Sequence, residues 1–291
     1  MFEFFSNIFG YVLNGIYMLV KNYGVAIILF SILIKILMLP MSIKQQKTMK
    51  KTEKIQKEMN KIQDKYKNNP EKMNMEIMDL YKRENMSPFS GCFSLIIQMV
   101  LLFSMFYLVR SPLTFMKKVD TGVIENFSQT IKEEKGEGAL NGAYPEMQII
   151  KYANEKNLTD SEIFINMDFL GVDLSDVPTT SGTNYTSYII PVLYVISSVA
   201  SIKLTSNINN KKSKNEDVIE VNQTEKKDDM QDMTKQMNKS MLWMMPILSV
   251  SVSLVAPLGL ALYWLINNIL MILERLIMNK FILSEEEKEN A

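Results

Sequence analysis

The chain has 291 residues, of which 47% are hydrophobic, and its 32 basic residues balance its 32 acidic residues. It contains no histidine and a single cysteine, Cys92, which excludes histidine-based catalysis, histidine metal sites and an intramolecular disulfide. The sequence also lacks a glycine-rich phosphate-binding loop. We therefore expect no enzyme, no cofactor and no metal site.

The apolar residues are gathered into blocks of roughly 20, the number that a helix needs to cross about 30 Å of hydrocarbon. This pattern predicts an all-α, polytopic membrane protein with five transmembrane helices, a cytoplasmic helical hairpin and an N-terminal interfacial helix. The predicted segments, in chain order, are an interfacial amphipathic helix (1–24), span 1 (25–43), the hairpin (44–87), span 2 (88–109), an external segment (110–185), span 3 (186–204), a cytoplasmic loop (205–239), span 4 (240–256), span 5 (257–281) and an acidic cytoplasmic tail (282–291).

The N-terminal segment, residues 1–24, does not have the basic start of a secretory signal peptide, and polar residues interrupt its apolar stretch. Its apolar side chains recur at helical spacing, which favours a helix lying along the membrane surface. An uncleaved, poorly formed signal anchor is the alternative interpretation.

Basic residues are unevenly distributed between two of the polar segments. From Gln46 to Ser87 there are eleven basic and seven acidic residues, whereas from Ser111 to Tyr185 there are six basic and twelve acidic residues. Loops rich in Lys and Arg stay in the cytoplasm. We therefore predict a cell-membrane protein in which the first segment is cytoplasmic, the second is external, the N-terminus is outside and the C-terminus is inside.

The cytoplasmic segment is predicted to fold by itself. Apolar residues recur at helical spacing over 55–66, Asn68-Asn69-Pro70 then breaks the helix, and the spacing resumes. This predicts an antiparallel helical hairpin with basic outer faces. Two interpretations remain open: a docking arm for a cytoplasmic partner, with Lys54, Lys61 and Tyr66 as contact residues, or a solvated spacer.

One lysine, Lys35, lies inside the first predicted span. A lysine at the centre of a transmembrane helix costs about 2.5–3.5 kcal/mol on translocon-insertion scales. Lys44 marks the cytoplasmic interface, and nine helical residues cover roughly 13 Å, farther than a lysine side chain reaches. We therefore expect a water-filled cavity instead of simple snorkelling. We also expect a lone cation there, because Glu274 lies near the end of the last span.

Other spans carry polar side chains suited to the same cavity. Ser31 lies one turn before Lys35, and Ser94 and Gln98 lie one turn apart in span 2. Ordinary hydrogen bonding between helices is the alternative for each of them. Spans 3 and 5 contribute Ser197, Ser198, Ser201, Tyr263, Trp264, Asn267 and Asn268.

These features together resemble the YidC family of membrane protein insertases, in its short Gram-positive-type form. The sequence from Pro257 to Trp264, followed by Asn267, is similar to that family's last-span signature. The mid-helix cation and the following Leu39-Pro40 are similar to its first core span, and Phe169–Leu174 is similar to the segment before its third. Where the family commonly has an arginine, this chain has Lys35.

The resemblance implies an insertase that brings polypeptide segments into the bilayer without nucleotide hydrolysis, through a hydrophilic, positively charged groove open to the cytoplasm. It implies as partners nascent membrane proteins and membrane lipid, together with the ribosome, the signal recognition machinery and the general secretion channel, and no DNA. By the same analogy, the substrate groove is lined by Lys35, Gln98, Trp264, Ser31, Ser94, Tyr263 and Asn267.

Two other classes of protein remain open at this point. One is a small transporter or anion channel in which Lys35 binds the anion. The other is an assembly factor that holds membrane subunits together without inserting them.

Overall fold

The computed structural model describes residues 2–67, 69–84, 90–140, 142–179, 185–216 and 250–289. Its helices are α1 (Phe2–Val20), α2 (Tyr23–Lys65), α3 (Pro70–Arg83), α4 (Ser90–Arg110), α5 (Thr121–Lys135), α6 (Pro145–Glu155), α7 (Ile189–Glu216), α8 (250–255) and α9 (Leu258–Glu289). A π-helical turn covers Leu113–Lys117, and 3-10 turns cover Glu137–Leu140 and Tyr185–Tyr188. The predicted helical class holds apart from one antiparallel hairpin of two short strands, β1 (Asp168–Phe169) and β2 (Val172–Asp173).

Three helices in the described part of the chain are long and apolar enough to cross a membrane: Tyr23–Gln45, Tyr185–Leu204 and Leu258–Met278. They overlap the predicted spans 1, 3 and 5. Only 28% to 33% of their residues are buried inside the protein, and large aliphatic side chains are exposed along all three. Apolar surface of this extent marks contact with lipid, so the protein is integrated in a membrane.

The other two predicted spans are described only in part. Helix α4 (Ser90–Arg110) has 21 residues and covers most of the predicted span 2, and Met99–Arg110 is the apolar stretch among its described side chains. Residues 250–256 are the described portion of the predicted span 4, and the rest of it lies outside the described residues. The count of five spans therefore stays a prediction.

Helix α2 joins the predicted first span and the first arm of the predicted hairpin into one continuous helix of 43 residues. Pro40 lies inside it without ending it. The residues that follow are mostly Lys, Gln, Met and Glu, which favour helix. At about 1.5 Å per residue the helix is roughly 65 Å long, about twice the thickness of the hydrocarbon layer.

Helix α3 folds back against the second half of α2. The side chain of Asn69 caps its first turn. Leu80 of α3 and Ile55 of α2 are buried in the seam, and Arg83 pairs with Glu58 across it at 2.7 Å. The two helices thus form an antiparallel hairpin at the far end of α2.

Two helices are longer than the sequence analysis predicted. Helix α7 continues to Glu216, so the prediction of a loop beginning at residue 205 is wrong for residues 205–216. Helix α9 continues to Glu289, through most of the predicted tail. Neither extension contains a glycine or proline that would end a helix. Residues 217–249, which include the remainder of the predicted loop, lie outside the described residues.

Helix α1 turns one face inward, on which Ser6, Gly10, Leu13 and Tyr17 are buried. The Ser6 hydroxyl donates to the backbone oxygen of Ser104 on α4 at 2.9 Å. A Cβ atom at Gly10 would lie 1.9 Å from the backbone oxygen of Phe115, so only glycine fits there. Small residues at helix contacts and large ones toward lipid are typical of membrane helices. The exposed side chains on its other faces include Phe4, Ile8, Tyr11, Met18 and Leu19.

Residues 111–179, which we call the cap, fold into a small unit that holds the starts of the candidate spans. The backbone N–H of Tyr23 donates to the oxygen of Asn166 at the start of α2 (3.0 Å). The N–H of Leu258 donates to the oxygen of Asp176 at the start of α9 (2.9 Å). Because the α2–α3 hairpin lies at the other end of α2, the cap and the hairpin occupy opposite ends of the molecule.

The cap has a hydrophobic core that is continuous with the core of the helices. The sequence pattern predicts only a long polar external segment here, without a fold of its own. Its helices α5 and α6 contact each other and enclose this core. The buried side chains of the cap include Ile131, Met147, Ile149, Ile150, Ala153, Ile163, Ile165 and Met167.

Candidate functional site

The most unusual contact in the membrane-spanning region is an ion pair between α2 and α9. The Lys35 Nζ atom lies 2.5 Å from the Glu274 Oε2 atom. Lys35 is twelve residues after Tyr23 and ten before Gln45, the ends of its candidate span. The Glu274 side chain is 6% exposed, whereas that of Lys35 is 26% exposed. The protein encloses the acid and leaves the cation accessible.

The prediction of a lone cation at Lys35 is therefore wrong. A Cβ atom at Gly259 would lie 3.2 Å from the ring of Tyr23, so α2 and α9 begin at the same level. Twelve residues farther along, Lys35 is level with about residue 271 of α9. The long lysine stem covers the remaining turn to Glu274. The position of Glu274 near the end of its own span therefore does not indicate which residue of α2 it faces.

Ser42 also binds the acid. Its hydroxyl donates to the Oε1 atom of Glu274, while Oε2 faces Lys35. Ser42 lies two turns after Lys35 on the same face of α2. Both carboxylate oxygens are thus engaged by one helix. Neither Ser42 nor Glu274 was among the predicted groove residues, although an acid within an apolar helix is a signal that sequence reasoning can use.

The predicted groove residues of α9 lie nearer the cap than the ion pair does. Tyr263 is buried, and the Asn267 amide donates to its backbone oxygen at 2.9 Å. The half-buried Trp264 ring packs on Tyr194 of α7, with ring centroids 6.0 Å apart. Trp264 and Glu274 are ten residues apart, roughly 15 Å along the helix. These residues and the ion pair therefore occupy different depths.

Asn268 joins α9 to α7. Its amide donates to the Ser198 hydroxyl at 2.8 Å and lies 3.3 Å from the Ser197 hydroxyl. Hydrogen bonds of this kind link helices within membranes. For these three residues the structure favours ordinary interhelical bonding, the alternative that the sequence left open.

The remaining predicted groove residues are Ser31, Ser94 and Gln98. Ser31 is buried, and its hydroxyl donates to the Ile27 oxygen of its own helix at 2.8 Å. The side chains of Ser94 and Gln98 lie outside the described part of the structure. Of the predicted set, the structure thus brings Lys35 into the ion pair and engages Ser31 with its own backbone.

The predicted docking residues lie on the second half of α2 and at its end. Lys61 is exposed, and the Lys54 side chain lies outside the described part. The Tyr66 hydroxyl donates to Glu76 at 3.2 Å, and the Lys72 ammonium lies 5.2 Å from its ring centroid. Tyr66 is thus engaged within the tip of the hairpin.

The motifs Phe169–Leu174 and Pro257–Trp264 are in contact at the cap. The first contains most of the β1–β2 hairpin, and its Leu174 oxygen accepts a hydrogen bond from the N–H of Gly259 in the second at 3.0 Å. A Cβ atom at Gly24 would lie 2.4 Å from the Phe169 ring, so α2 can begin against this hairpin only with glycine there. The cap thereby fixes the relative level of α2 and α9.

A second ion pair lies inside the cap. The Lys151 Nζ atom is 2.5 Å from Asp176 Oδ1, and the Ser187 hydroxyl donates to Asp176 Oδ2 at 3.2 Å. Burial acts to lower the pKa of Lys151, but the carboxylates of Asp176, Asp173 and Glu155 together outweigh burial, and the pKa is raised. This pair ties α6 to the segment that precedes α7.

A further buried acid of the cap is Glu146, at the start of α6. The Glu146 carboxylate accepts hydrogen bonds from the N–H groups of Leu113 (2.8 Å) and Thr114 (3.1 Å) and from the Thr114 hydroxyl (2.6 Å). Burial raises the pKa of Glu146, although these hydrogen bonds act to lower it. Glu146 thus holds the π-helical turn against α6.

A cavity of about 490 Å³ lies beside the cap, with Tyr17, Lys21, Lys117 and Asn166 among its lining residues. Burial, followed by the charge of Lys21, lowers the pKa of Lys117. The cavity lies at the cap end of α2 and is separate from the Lys35 ion pair. Within the described residues, no group of three or more His, Cys, Asp or Glu side chains is placed to hold a metal ion.

Comparison with known families gives one match that covers most of the chain. Residues 15–286 match the profile of a family described as 60Kd inner membrane protein. A relative from Treponema denticola, named membrane protein insertase YidC, is 27% identical over 270 residues, which are 93% of this chain and 36% of that relative.

Two further relatives carry the same printed name. The one from Clostridium perfringens is 43% identical over 104 residues, which are 35% of this chain and 44% of the relative. The one from Fusobacterium nucleatum is 36% identical over 111 residues, which are 38% of this chain and 54% of the relative. The chain thus spans between 36% and 54% of the length of these relatives.

Proposed function

Since the chain belongs to the 60Kd inner membrane protein family, which includes YidC, we propose that it inserts segments of other polypeptides into the lipid bilayer. The resemblance to the YidC family, first noted from sequence motifs, is confirmed by the family match. All three relatives described above are named insertases, and that name motivates the proposed activity.

The observation that carries the proposal is the ion pair at mid-depth of the first candidate span. Lys35 keeps 26% of its side chain exposed there, although the surrounding surface of α2 is apolar. Glu274 pairs with Lys35 on one side, and the exposed remainder of this cationic side chain is favoured by water or a further polar group. We infer a hydrophilic groove at Lys35, in which part of the hydrocarbon is replaced by water and polar side chains.

Such a groove would lower the barrier to insertion without consuming nucleotide. A polar segment that crosses pure hydrocarbon leaves each unpaired backbone group at a cost of several kcal/mol. In the groove, the polar segment would keep hydrogen-bonding partners for part of the crossing. The apolar segment of the substrate would then enter lipid beside the groove, which gains about 25 cal/mol per Å² of apolar surface.

We propose that the hairpin faces the cytoplasm and the cap faces outward, so that the N-terminus is outside and the C-terminus is inside the cell membrane. Two observations support this orientation. The cap and the hairpin lie at opposite ends of α2. The hairpin segment, 46–87, is rich in basic residues, whereas 111–185 has twice as many acidic as basic residues.

The substrates we propose are nascent membrane proteins. The hairpin, through Lys54 and Lys61, is the surface we propose for the ribosome, the signal recognition machinery or the secretion channel. Lys61 is exposed and available for such contact. Tyr66 supports this role indirectly, because its hydrogen bond to Glu76 stabilises the hairpin tip.

The test is reconstitution of the purified full-length protein in liposomes with a single-span substrate that has an acidic translocated tail. We expect wild-type protein to increase the protease-protected fraction of the substrate without increasing the flux of small anions. Lys35→Ala should lower insertion about tenfold, because a missing interaction of about 1.4 kcal/mol corresponds to that factor. Lys35→Arg should keep insertion within about threefold of wild type, since the charge remains.

Three outcomes would contradict the proposal. Absence of insertion by the wild-type protein would remove the insertase function itself. Anion flux that depends on Lys35 would favour the channel alternative. Full insertion by Lys35→Ala would show that the groove does not use this charge.

A further inference from the structure

We propose that Glu274 occupies, at Lys35, the place that a substrate carboxylate takes during insertion, and thereby determines how acidic an inserting segment must be. This inference rests on the proposed insertase function and adds a specificity-determining residue to it. It follows from the geometry of the ion pair and from the exposure of its two members.

The first argument is chemical. The Lys35 ammonium has three N–H donors and acts as a point charge without the fixed geometry of a guanidinium. It binds Glu274 through a carboxylate oxygen at 2.5 Å. An aspartate or glutamate of a substrate offers the same group. Exchange of one carboxylate for the other therefore conserves both the charge and the type of hydrogen bond at Lys35.

The second argument is the difference in exposure. Lys35 is 26% exposed and Glu274 only 6% exposed. An incoming carboxylate can therefore reach Lys35 from its open side while Glu274 is still bound. Lys35 then passes from one acid to the other without an intermediate in which it is unpaired, a state that is costly within a membrane.

The third argument concerns the displaced acid. A buried carboxylate without partners carries a large desolvation cost. The Ser42 hydroxyl donates to Oε1 of Glu274, the oxygen that does not face Lys35. Ser42 can keep this hydrogen bond when Lys35 moves toward a substrate. The site therefore contains a partner for both the incoming and the displaced carboxylate.

The consequence is selectivity by competition. With Glu274 bound, Lys35 presents a neutral pair and no standing positive charge. A substrate tail without acidic residues is not attracted to this pair. An acidic tail is attracted to Lys35 to the extent that it displaces Glu274. Removal of the Glu274 charge leaves Lys35 unmatched and strengthens its attraction for every acidic tail.

The experiment uses the full-length protein in vesicles of phosphatidylethanolamine and phosphatidylglycerol. The substrates are single-span test proteins whose translocated tails carry three Asp or three matched Asn residues, and the readout is the ratio of their initial insertion rates. We expect Glu274→Gln to raise this ratio about fivefold or more, the usual size of coupling between two binding groups. Glutamine keeps the shape of the side chain and an oxygen for Ser42.

Asp79→Asn is the matched control, because it removes a carboxylate that is 72% exposed on α3 and remote from the pair. We expect it to leave the ratio unchanged. Thermal unfolding of each variant shows whether its fold is retained.

A charge exchange provides the second variant. Lys35→Glu combined with Glu274→Lys restores an ion pair but places the acid at the exposed position. We expect it to lose the preference for Asp tails and to favour tails that carry Lys. If the ion pair only stabilised the fold, the exchange would restore stability and insertion without reversing the preference for acidic tails.

The outcomes are distinct. If wild-type protein inserts neither tail, the insertase function fails and this inference fails with it. If wild-type protein inserts Asp tails in a Lys35-dependent manner, but Glu274→Gln leaves the ratio unchanged, only the role of Glu274 is overturned. Retention of the Asp preference by the charge exchange would overturn it as well.

Discussion

Two ion pairs of this protein have nearly the same geometry in different surroundings. Lys35–Glu274 and Lys151–Asp176 both have N–O distances of 2.5 Å, and in each pair the acid is 6% exposed. Their lysines are exposed to similar extents, 26% and 35%. The first pair joins two candidate spans at mid-depth, whereas the second lies in the cap.

The contribution of an ion pair to the free energy of unfolding therefore depends on its surroundings as well as on its geometry. In the cap, Lys151 is 35% exposed and reaches water when the pair opens, whereas Asp176 stays buried. We therefore expect this pair to contribute more than a fully exposed pair, which is worth about 0–1 kcal/mol, but less than a pair inside a span. Inside a span, loss of one partner leaves a charge with little solvent, at a cost of about 3–5 kcal/mol. An equal change in charge should therefore have unequal effects at the two sites.

The largest difference is expected from charge reversal. Lys35→Glu places two carboxylates together in a span, and we expect the free energy of unfolding to fall by about 3–5 kcal/mol. Insertion should fall by more than the roughly tenfold loss expected for Lys35→Ala, because the introduced carboxylate also repels an acidic tail. Lys151→Glu, the matched variant, should cost less, about 1–3 kcal/mol, because it removes the lysine partner of the buried Asp176 while the substituted side chain itself is partly solvated. Thermal unfolding in detergent and insertion in liposomes measure both effects, and equal losses would contradict the comparison.

We expect a smaller loss of stability from a substitution that disturbs the close packing of α1 near the cap. This change tests whether packing, in addition to the ion pair, stabilises that end of the molecule. A Cβ atom at Gly10 would meet the backbone oxygen of Phe115 at 1.9 Å, whereas a Cβ atom at Gly15 has nothing within 4 Å. We expect Gly10→Ala to cost about 1–3 kcal/mol through overpacking. Gly15→Ala on the same helix should be neutral or stabilise by up to about 1 kcal/mol. Thermal unfolding distinguishes them, and a tolerated Gly10→Ala would refute the contact.

The smallest effect is expected from salt. Raising the ionic strength from 0.1 M to 1 M shortens the Debye length from about 10 Å to about 3 Å. We expect the cap pair to lose about 0.5 kcal/mol and the span pair to be unaffected. The measurement is the difference in unfolding free energy between wild type and Lys151→Gln at both salt concentrations, with Lys35→Gln as the parallel series. Equal salt sensitivity would show that both pairs are solvated alike.

Several features of the fold could be predicted because they depend on local sequence. The predicted spans 25–43 and 186–204 lie within the candidate spans of the structure, Tyr23–Gln45 and Tyr185–Leu204, and differ from them by at most two residues at either end. A run of apolar residues long enough to cross hydrocarbon is legible in one window of sequence. Lys35 stood out for the same reason, as a charge within such a run.

The cap could not be predicted in the same way. Its buried residues are distributed from Leu113 to Val177 over a π-helical turn, two helices, a loop and a hairpin. No single helical or strand period connects them. The segment therefore read as polar, although it encloses a core and fixes the starts of α2 and α9.

Hydropathy, charge and short motifs are local properties, so the amino-acid sequence alone was enough to identify a helical membrane protein of the YidC family with a cation inside its first span. That this cation has a partner is visible only in the packing of α2 against α9. Lys35 and Glu274 are far apart in the chain, and their contact depends on the level at which the cap sets α2 against α9. The charge of the site is therefore a property of helix register, which neither helix encodes alone.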